Sequence, residues 1–274
     1  MEQSRIKKLS NLSIEEKVNK TKRIIISGLK KCPYKNFYLA WTGGKDSTTM
    51  LWLYIETFKE NGKPPPKTFF INEGSVFEEI IDFVDQFKKH FNIDVTYLKN
   101  TDVLEKVKNC GERIRIKNLN NRNQIEIKNL GFTDQFLILE PESLVCNHLL
   151  KTVVMNSFIE NNQVEMVGTA IRWDEQGARR SEDYFKNINN PFHVRIHPML
   201  HFKEQDIWEL IHRKNIPFCS LYNNGYRSLG SKYSTVKNSE LPAWEQDLQN
   251  TIERSGRDQD KERIMEQLRD LGYM

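Results

Sequence analysis

The sequence predicts an α/β fold, a Rossmann-like parallel sheet of about five strands with helices on both faces. Two observations predict it. Short apolar runs of strand formers, at residues 37–41, 68–71 and 93–98, alternate with stretches whose apolar residues recur at helical spacing. The first of those strands runs straight into Thr42-Gly43-Gly44-Lys45-Asp46-Ser47, a glycine turn that opens a helix carrying Met50, Leu51, Leu53, Tyr54 and Phe58 on one face. This βαβαβ rhythm implies parallel strands joined by right-handed crossovers.

Taken in order, Ser13-Ile14-Glu15-Glu16 reads as a capping box opening a helix to about Lys30. After the glycine turn and its helix, Asn61-Gly62-Lys63-Pro64-Pro65-Pro66 stops the chain and stiffens the link to the second strand. Ser75 is expected to cap the next helix with Glu78 as its capping-box partner, and Phe77, Ile80, Ile81, Val84 and Phe87 share a face of it. Residues 113–117 and 124–128 alternate polar and apolar around Asn120-Asn121-Arg122-Asn123, which reads as a β-hairpin insertion over about residues 110–130. A helix with Cys146, Leu149, Leu150, Val153 and Val154 inward follows, then a buried strand at 164–168. Residues 194–196 with Met199-Leu200 suggest a further strand, and a helix around Ile207, Trp208, Leu210 and Ile211 ends by Pro217. A charged helix is expected at about residues 258–271. The organisation is an N-terminal helix (1–36), an α/β domain (37–215) and a C-terminal extension (216–274).

Composition sets the class. At 274 residues, 38% hydrophobic and 28% charged, the chain has the make-up of an ordinary globular protein. No apolar run approaches a membrane span, and the first 20 residues carry no signal-like apolar core. A net charge of +4 is too small to argue for nucleic acid. Cys32, Cys110, Cys146 and Cys219 form no close pair, which argues against a zinc ribbon or a local iron–sulfur site and suits a reducing cytoplasm.

The chemistry concentrates after strands. A helix N-terminus behind a glycine turn offers backbone N–H groups and a favourable dipole to an anion. Lys45 adds a charge there, and Thr42 and Ser47 add hydroxyls. The turn is not a Walker A loop, since Leu39 stands where its first glycine belongs and Asp46 follows the lysine. A second group, Gly168-Thr169-Ala170-Ile171-Arg172-Trp173-Asp174-Glu175 with Arg179 and Arg180, brings arginines that suit a pyrophosphate. Asp174 and Glu175 would orient them, hold a metal, or simply begin a helix. Asn224-Gly225-Tyr226-Arg227-Ser228-Leu229-Gly230-Ser231 suits a second oxyanion contact, and Glu253-Arg254-Ser255-Gly256-Arg257 flanks a turn with two arginines.

The [ST]-G-G-x-D-S pattern at residues 42–47 resembles the PP-loop of the ATP pyrophosphatases. With the groups at 168–180, 197–211, 224–231 and 253–257 it is similar to the phosphoadenosine-phosphosulfate reductase / FAD synthetase group. The ending, from Pro242, most resembles the small catalytic subunit of sulfate adenylyltransferase. The resemblance implies cleavage of ATP between its α and β phosphates, with Mg²⁺, to make adenylyl sulfate and pyrophosphate, and a possible GTPase large subunit as partner. It implies nucleotide contacts from Thr42, Gly43, Gly44, Lys45, Asp46, Ser47, Glu73, Gly168, Arg172, Tyr226, Ser228, Gly230, Arg254 and Arg257. Catalytic roles fall to Lys45, Arg172, Arg179 and Arg227. Alternatives are an FAD synthetase, a sulfonucleotide reductase and a non-catalytic nucleotide-binding subunit.

The chain departs from the group in two places. Asn72-Glu73-Gly74 stands where Asp-Thr-Gly is common, with Glu73 as a substitute. No cysteine follows Cys219, so the reductases' nucleophile is missing, and Ser231 and Ser234 replace the cysteine pair of the iron–sulfur members.

Overall fold

The computed structural model describes residues 2–140, 143–175, 179–237, 239–251, 253, 267 and 271. Helix α1 (Glu2–Ser10) precedes α2 (Ile14–Lys31), whose capping box is formed by Ser13 and Glu16. The buried face of α2 is Ile14, Lys17, Thr21, Ile24, Ile25 and Gly28, a helical spacing. Then come β1 (Phe37–Ala40), α3 (Lys45–Glu60), β2 (Lys67–Ile71), α4 (Glu78–Phe91) and β3 (Val95–Leu98). After α5 (Thr101–Leu104), β4 (Arg113–Arg115), α6 (Asn121–Asn129) and β5 (Phe136–Ile138), the chain enters α7 (Leu144–Asn147) and α8 (Val153–Asn161), joined by a π-helical turn (His148–Thr152). The described elements then run through β6 (Met166–Gly168), β7 (Phe185–Asn189), β8 (Phe192–Ile196) and α9 (Glu204–Lys214).

Six strands form the main sheet in the order β3-β2-β1-β6-β8-β7, all parallel except β7, which runs antiparallel to β8 on the edge. The chain builds outward from β1 to β3, then returns to place β6 on the other side of β1. The carboxyl ends of β1 and β6 therefore flank a topological switch point, where open α/β sheets bind ligands.

Strand residues alternate between two cores, as the pleat requires. Phe37, Leu39, Phe70 and Met166 pack with α2, α3, α4 and α9 on one face. Ala40, Phe69 and Val167 pack with Met155, Phe158 and Ile159 of α8 on the other. Gly168 lies opposite Leu39 in the ladder, and a Cβ there would run into Leu39 Cδ2. Its need for glycine is close strand packing.

Three expectations are corrected. The insertion is antiparallel, but its second strand is β5, with Arg113 opposite Ile138. Residues 124–128 are helical because the Asn120 side chain accepts the Asn123 N–H at 2.9 Å and caps α6. Asn123 and Ile127, four apart, are buried, whereas Ile125 is 57% exposed. The segment has its own small core, with Ile114, Leu119, Ile127, Leu137, Cys146 and Leu149. Helix α4 has Phe77 at its N-cap and no side-chain cap, so the box expected from Ser75 and Glu78 is not formed. Strand β8 ends at Ile196, and Met199 and Leu200 lie in a turn. Of the charged helix expected at 258–271, Gln267 and Leu271 are described, and the rest lies outside the described residues.

Three buried histidines follow one another along β8 and the turn beyond it. His193 Nδ1 donates to Pro191 O at 2.8 Å, His197 Nδ1 lies 2.5 Å from Thr169 Oγ1, and His201 Nε2 donates to Lys17 O at 3.1 Å. Burial holds all three as neutral imidazoles, pushing them down to about 4, 3 and 4. The unfolded chain takes up these protons near pH 6.5, so the stabilisation is complete above that pH and is lost as the pH falls toward the folded values. Calorimetry should show a lower Tm at pH 5 than at pH 7, with about 1–2 kcal/mol lost per histidine. A Tm that does not fall on acidification would contradict this account.

Candidate active site

A cavity of about 250 Å³ opens at the switch point. Its apolar wall comes from the ends of β1 and β2 and the start of α4: Ala40, Trp41, Phe69, Phe70 and Ile80. Its polar floor is the loop between β1 and α3, with Thr42, Gly44, Lys45, Asp46 and Ser47 on the lining. Ser228, Leu229, Gly230 and Ser231 form the opposite rim. One end of the cavity is therefore suited to a flat apolar group and the other to an anion.

The loop is shaped by its own hydroxyls. Thr42 N–H donates to Ser47 Oγ at 3.2 Å, and Ser47 Oγ donates to Gly44 O at 3.0 Å. Gly43 has φ +73°, and a Cβ there would lie 2.7 Å from Ile80 Cγ2. Both facts require glycine. Gly44 is the N-cap of α3, which has no side-chain cap. Tyr222 comes from a distant segment to accept the Lys45 backbone N–H at 2.8 Å. Burial pushes its phenol up to about 12, so it stays neutral at the helix start.

The cations of the site are buried and paired. Lys45 Nζ donates to Arg227 O at 3.0 Å, pairs with Glu253, and lies 3.5 Å from both Asp46 Oδ2 and Glu204 Oε1. Arg172 is fully buried. Its Nε donates to Asp174 Oδ1 at 2.9 Å, its NH2 group to Glu253 Oε2 at 2.6 Å, and its NH1 group contacts Asp46. Burial alone would favour the neutral guanidine. The carboxylates of Asp174, Glu253 and Glu204 outweigh it and raise the pKa, so Arg172 is held firmly charged. Arg179 pairs with Glu175, and Lys151, from the π-helical turn, pairs with Glu73 at 2.6 Å.

This arrangement sorts the residues singled out by the sequence. Thr42, Gly44, Lys45, Asp46, Ser47, Glu73, Arg179, Ser228 and Gly230 line the cavity together. Gly43, Gly168, Arg172, Tyr226 and Arg227 are not on its lining. Gly43 shapes the turn, Gly168 packs on Leu39, and Arg172 stands behind the wall formed by Asp46 and Glu253. Tyr226 packs on Phe77 with ring centroids 5.6 Å apart. Arg227 is spent on Glu204, whose Oε2 accepts from NH2 at 2.7 Å, and on Thr251 O at 3.1 Å. In this ligand-free arrangement the donors of Arg172 engage carboxylates, and those of Arg227 engage Glu204 and the stretch 247–251. Asp174 lies in a turn and Glu175 in a bend. Arg254 and Arg257 lie outside the described residues.

Sequence reasoning missed Tyr222, Lys151 and Glu204, and it weighed only the arginines around Glu253. None of the four has a local signal, since each meets its partner through the fold. Asp46, Glu175 and Glu253 offer carboxylate oxygens within 4.8 Å of one another, a hard-oxygen set that suits a divalent cation such as Mg²⁺.

The chain is similar to known proteins in sequence and in fold. The chain is similar to a probable FAD synthase of Caenorhabditis elegans, 24% identical over 239 residues, covering 86% of this chain and 37% of that protein. It is similar to sulfate adenylyltransferase subunit 2 of Magnetococcus marinus, 22% identical over 203 residues, covering 65% of this chain and 58% of that protein. It thus spans about a third to three-fifths of those relatives' lengths. In structure it is similar to Candida glabrata FMN adenylyltransferase, with TM-score 0.61, 16% identity, and 93% and 94% of the two chains covered. The family model for the phosphoadenosine phosphosulfate reductase domain matches residues 36–237, and the chain belongs to that family.

Proposed function

We propose that the protein is an adenylyltransferase that cuts ATP between the α and β phosphates and passes the adenylyl group to an oxyanion, with sulfate as the first acceptor. The observation that carries this reading is that the glycine turn and the N-terminus of α3 share the lining of one cavity with the apolar ends of β1 and β2. Adenine would lie against Trp41, Phe69 and Phe70. The β and γ phosphates would lie on the loop of residues 42–47.

The reaction asks little covalent chemistry of the protein. An acceptor oxygen attacks the α-phosphorus in line, the new O–P bond forms, and the α–β bridging bond breaks with its electrons leaving on pyrophosphate. The loop N–H groups, the Thr42 and Ser47 hydroxyls, Lys45 and Arg179 would stabilise the charge that builds on that leaving group. Mg²⁺, when bound with the nucleotide, would neutralise phosphate charge, and Asp46 and Glu175 are the cavity carboxylates that would hold it. In the ligand-free arrangement Arg172 engages Asp46, Asp174 and Glu253.

Three of the four thiols are poorly suited to sulfur reduction. Cys32 and Cys219 are buried and pushed up to about 11, and Cys146 is buried and raised, while Cys110 is exposed. FMN is the second acceptor, supported by the likeness to an FAD synthase over 86% of this chain. The likeness to a sulfate adenylyltransferase subunit 2 supports sulfate and, with it, a partner subunit that drives the uphill step.

Pyrophosphate release from ATP and Mg²⁺ should depend on sulfate, with pyrophosphatase present to pull the reaction. Release with FMN alone would move the protein to the flavin reading, and release with neither would contradict adenylyl transfer by this chain acting alone. Lys45→Ala should lower kcat/KM by about 10²–10³-fold. Arg172→Ala takes a buried cation from Glu253, which is buried, and from the partly exposed Asp46 and Asp174, and should cost about 3 kcal/mol of unfolding free energy. An Arg172→Ala protein with unchanged stability and turnover would remove Arg172 from the account.

A further inference from the structure

The cavity assigned above to a polyphosphate already contains an anion of the chain's own. Glu253 is 8% exposed and lines the cavity. Its two carboxylate oxygens meet two different cations: Oε2 accepts from Arg172 NH2 at 2.6 Å, and Oε1 pairs with Lys45 Nζ. With Glu253 there, Lys45 is 1% exposed and Arg172 not at all. Two anionic oxygens bridging a lysine and an arginine present the acceptor pattern of two oxygens of a phosphate group.

Glu253 differs from the other carboxylates around these cations in how it arrives. Asp46 belongs to the first turn of α3, and Asp174 is two residues from Arg172 and also accepts the Glu204 N–H at 2.8 Å. Moving either would disturb the loop that carries the cations. Glu253 comes from 81 residues beyond Arg172, on a stretch held from behind by Arg227. The Arg227 guanidinium is fixed to both oxygens of Glu204 and reaches on to Asp247 O at 3.3 Å and Thr251 O at 3.1 Å. Among the described residues this tether engages 247 and 251, and Glu253 lies on a stretch separate from the loop that carries the cations.

We infer that Glu253 is a built-in competitor for the anion site, which occupies Lys45 and Arg172 in the nucleotide-free protein and yields when pyrophosphate or the phosphates of ATP enter. The inference rests on the reading of this cavity as a polyphosphate site. Its consequence is that apparent nucleotide affinity is reduced by the fraction of molecules in which Glu253 is seated. The Arg227 clamp on residues 247–251 sets that fraction. An interaction that draws this stretch away would tighten nucleotide binding with no change to the loop itself.

Calorimetric titration with inorganic pyrophosphate and with a non-hydrolysable ATP analogue, each with EDTA and with Mg²⁺, tests this. Glu253→Gln should bind pyrophosphate about tenfold tighter than wild type in EDTA, the size of one charge-assisted contact relieved. Thr251→Val, which removes a hydroxyl bonded to Arg227 and leaves the carboxylate charge intact, should tighten binding by a smaller factor. It also provides the reading if Glu253→Gln does not fold. Wild-type binding with unchanged or weaker binding in both variants would overturn the inference and leave the polyphosphate site standing. Weakening of Glu253→Gln confined to Mg²⁺ would make Glu253 a metal ligand and also overturn it. Absence of binding to the wild type would overturn the polyphosphate site and this inference together.

Discussion

Two buried cations decide the form of this molecule's functional end. Lys45 and Arg172 sit almost without solvent at the switch point between β1 and β6. Isolated charges in such a place would be strongly destabilising. They are tolerated because Asp46, Asp174, Glu204 and Glu253 surround them. These carboxylates come from the loop helix, the turn after β6, the first turn of α9 and the C-terminal stretch. The charge network thus pins four distant segments to one point. Removing one partner leaves the others buried without compensation.

The sheet supplies the geometry that the network uses. Parallel strands bring the ends of β1, β2 and β6 to the same edge, and the loops after them line the cavity. Apolar strand ends make one wall, and the glycine turn with its helix start makes the other. Tyr222 links this edge to the segment after α9 through a neutral phenol on the Lys45 N–H, a contact that places no extra charge beside the buried lysine. The C-terminal stretch then reaches the same point through Arg227 and Glu204.

The strand, glycine turn and helix at residues 37–60 were legible in the sequence because each depends on its own few residues. The Ser13–Glu16 capping box was legible for the same reason. Residues 124–128 were misread because five alternating residues also fit a short helix, and the Asn120 cap and burial of Ile127 decided it. Strand β7 carries Lys186, Asn187 and Asn189 on an exposed edge, so it shows no apolar run to find. The fate of the arginines was not legible at all. A sequence shows that Arg172 and Arg227 are cations, and only the fold shows that carboxylates 81 and 23 residues away engage their donors. Phosphate-binding and structural arginines look alike until their partners are known.

The central claim is that the loop of residues 42–47 holds pyrophosphate as the leaving group. ³¹P NMR of the products formed from ATP, Mg²⁺ and acceptor tests it most directly. The account predicts a pyrophosphate resonance together with an adenylyl product and no accumulation of ADP. ADP with inorganic phosphate would mean that the β–γ bond is the one cut, and would contradict it.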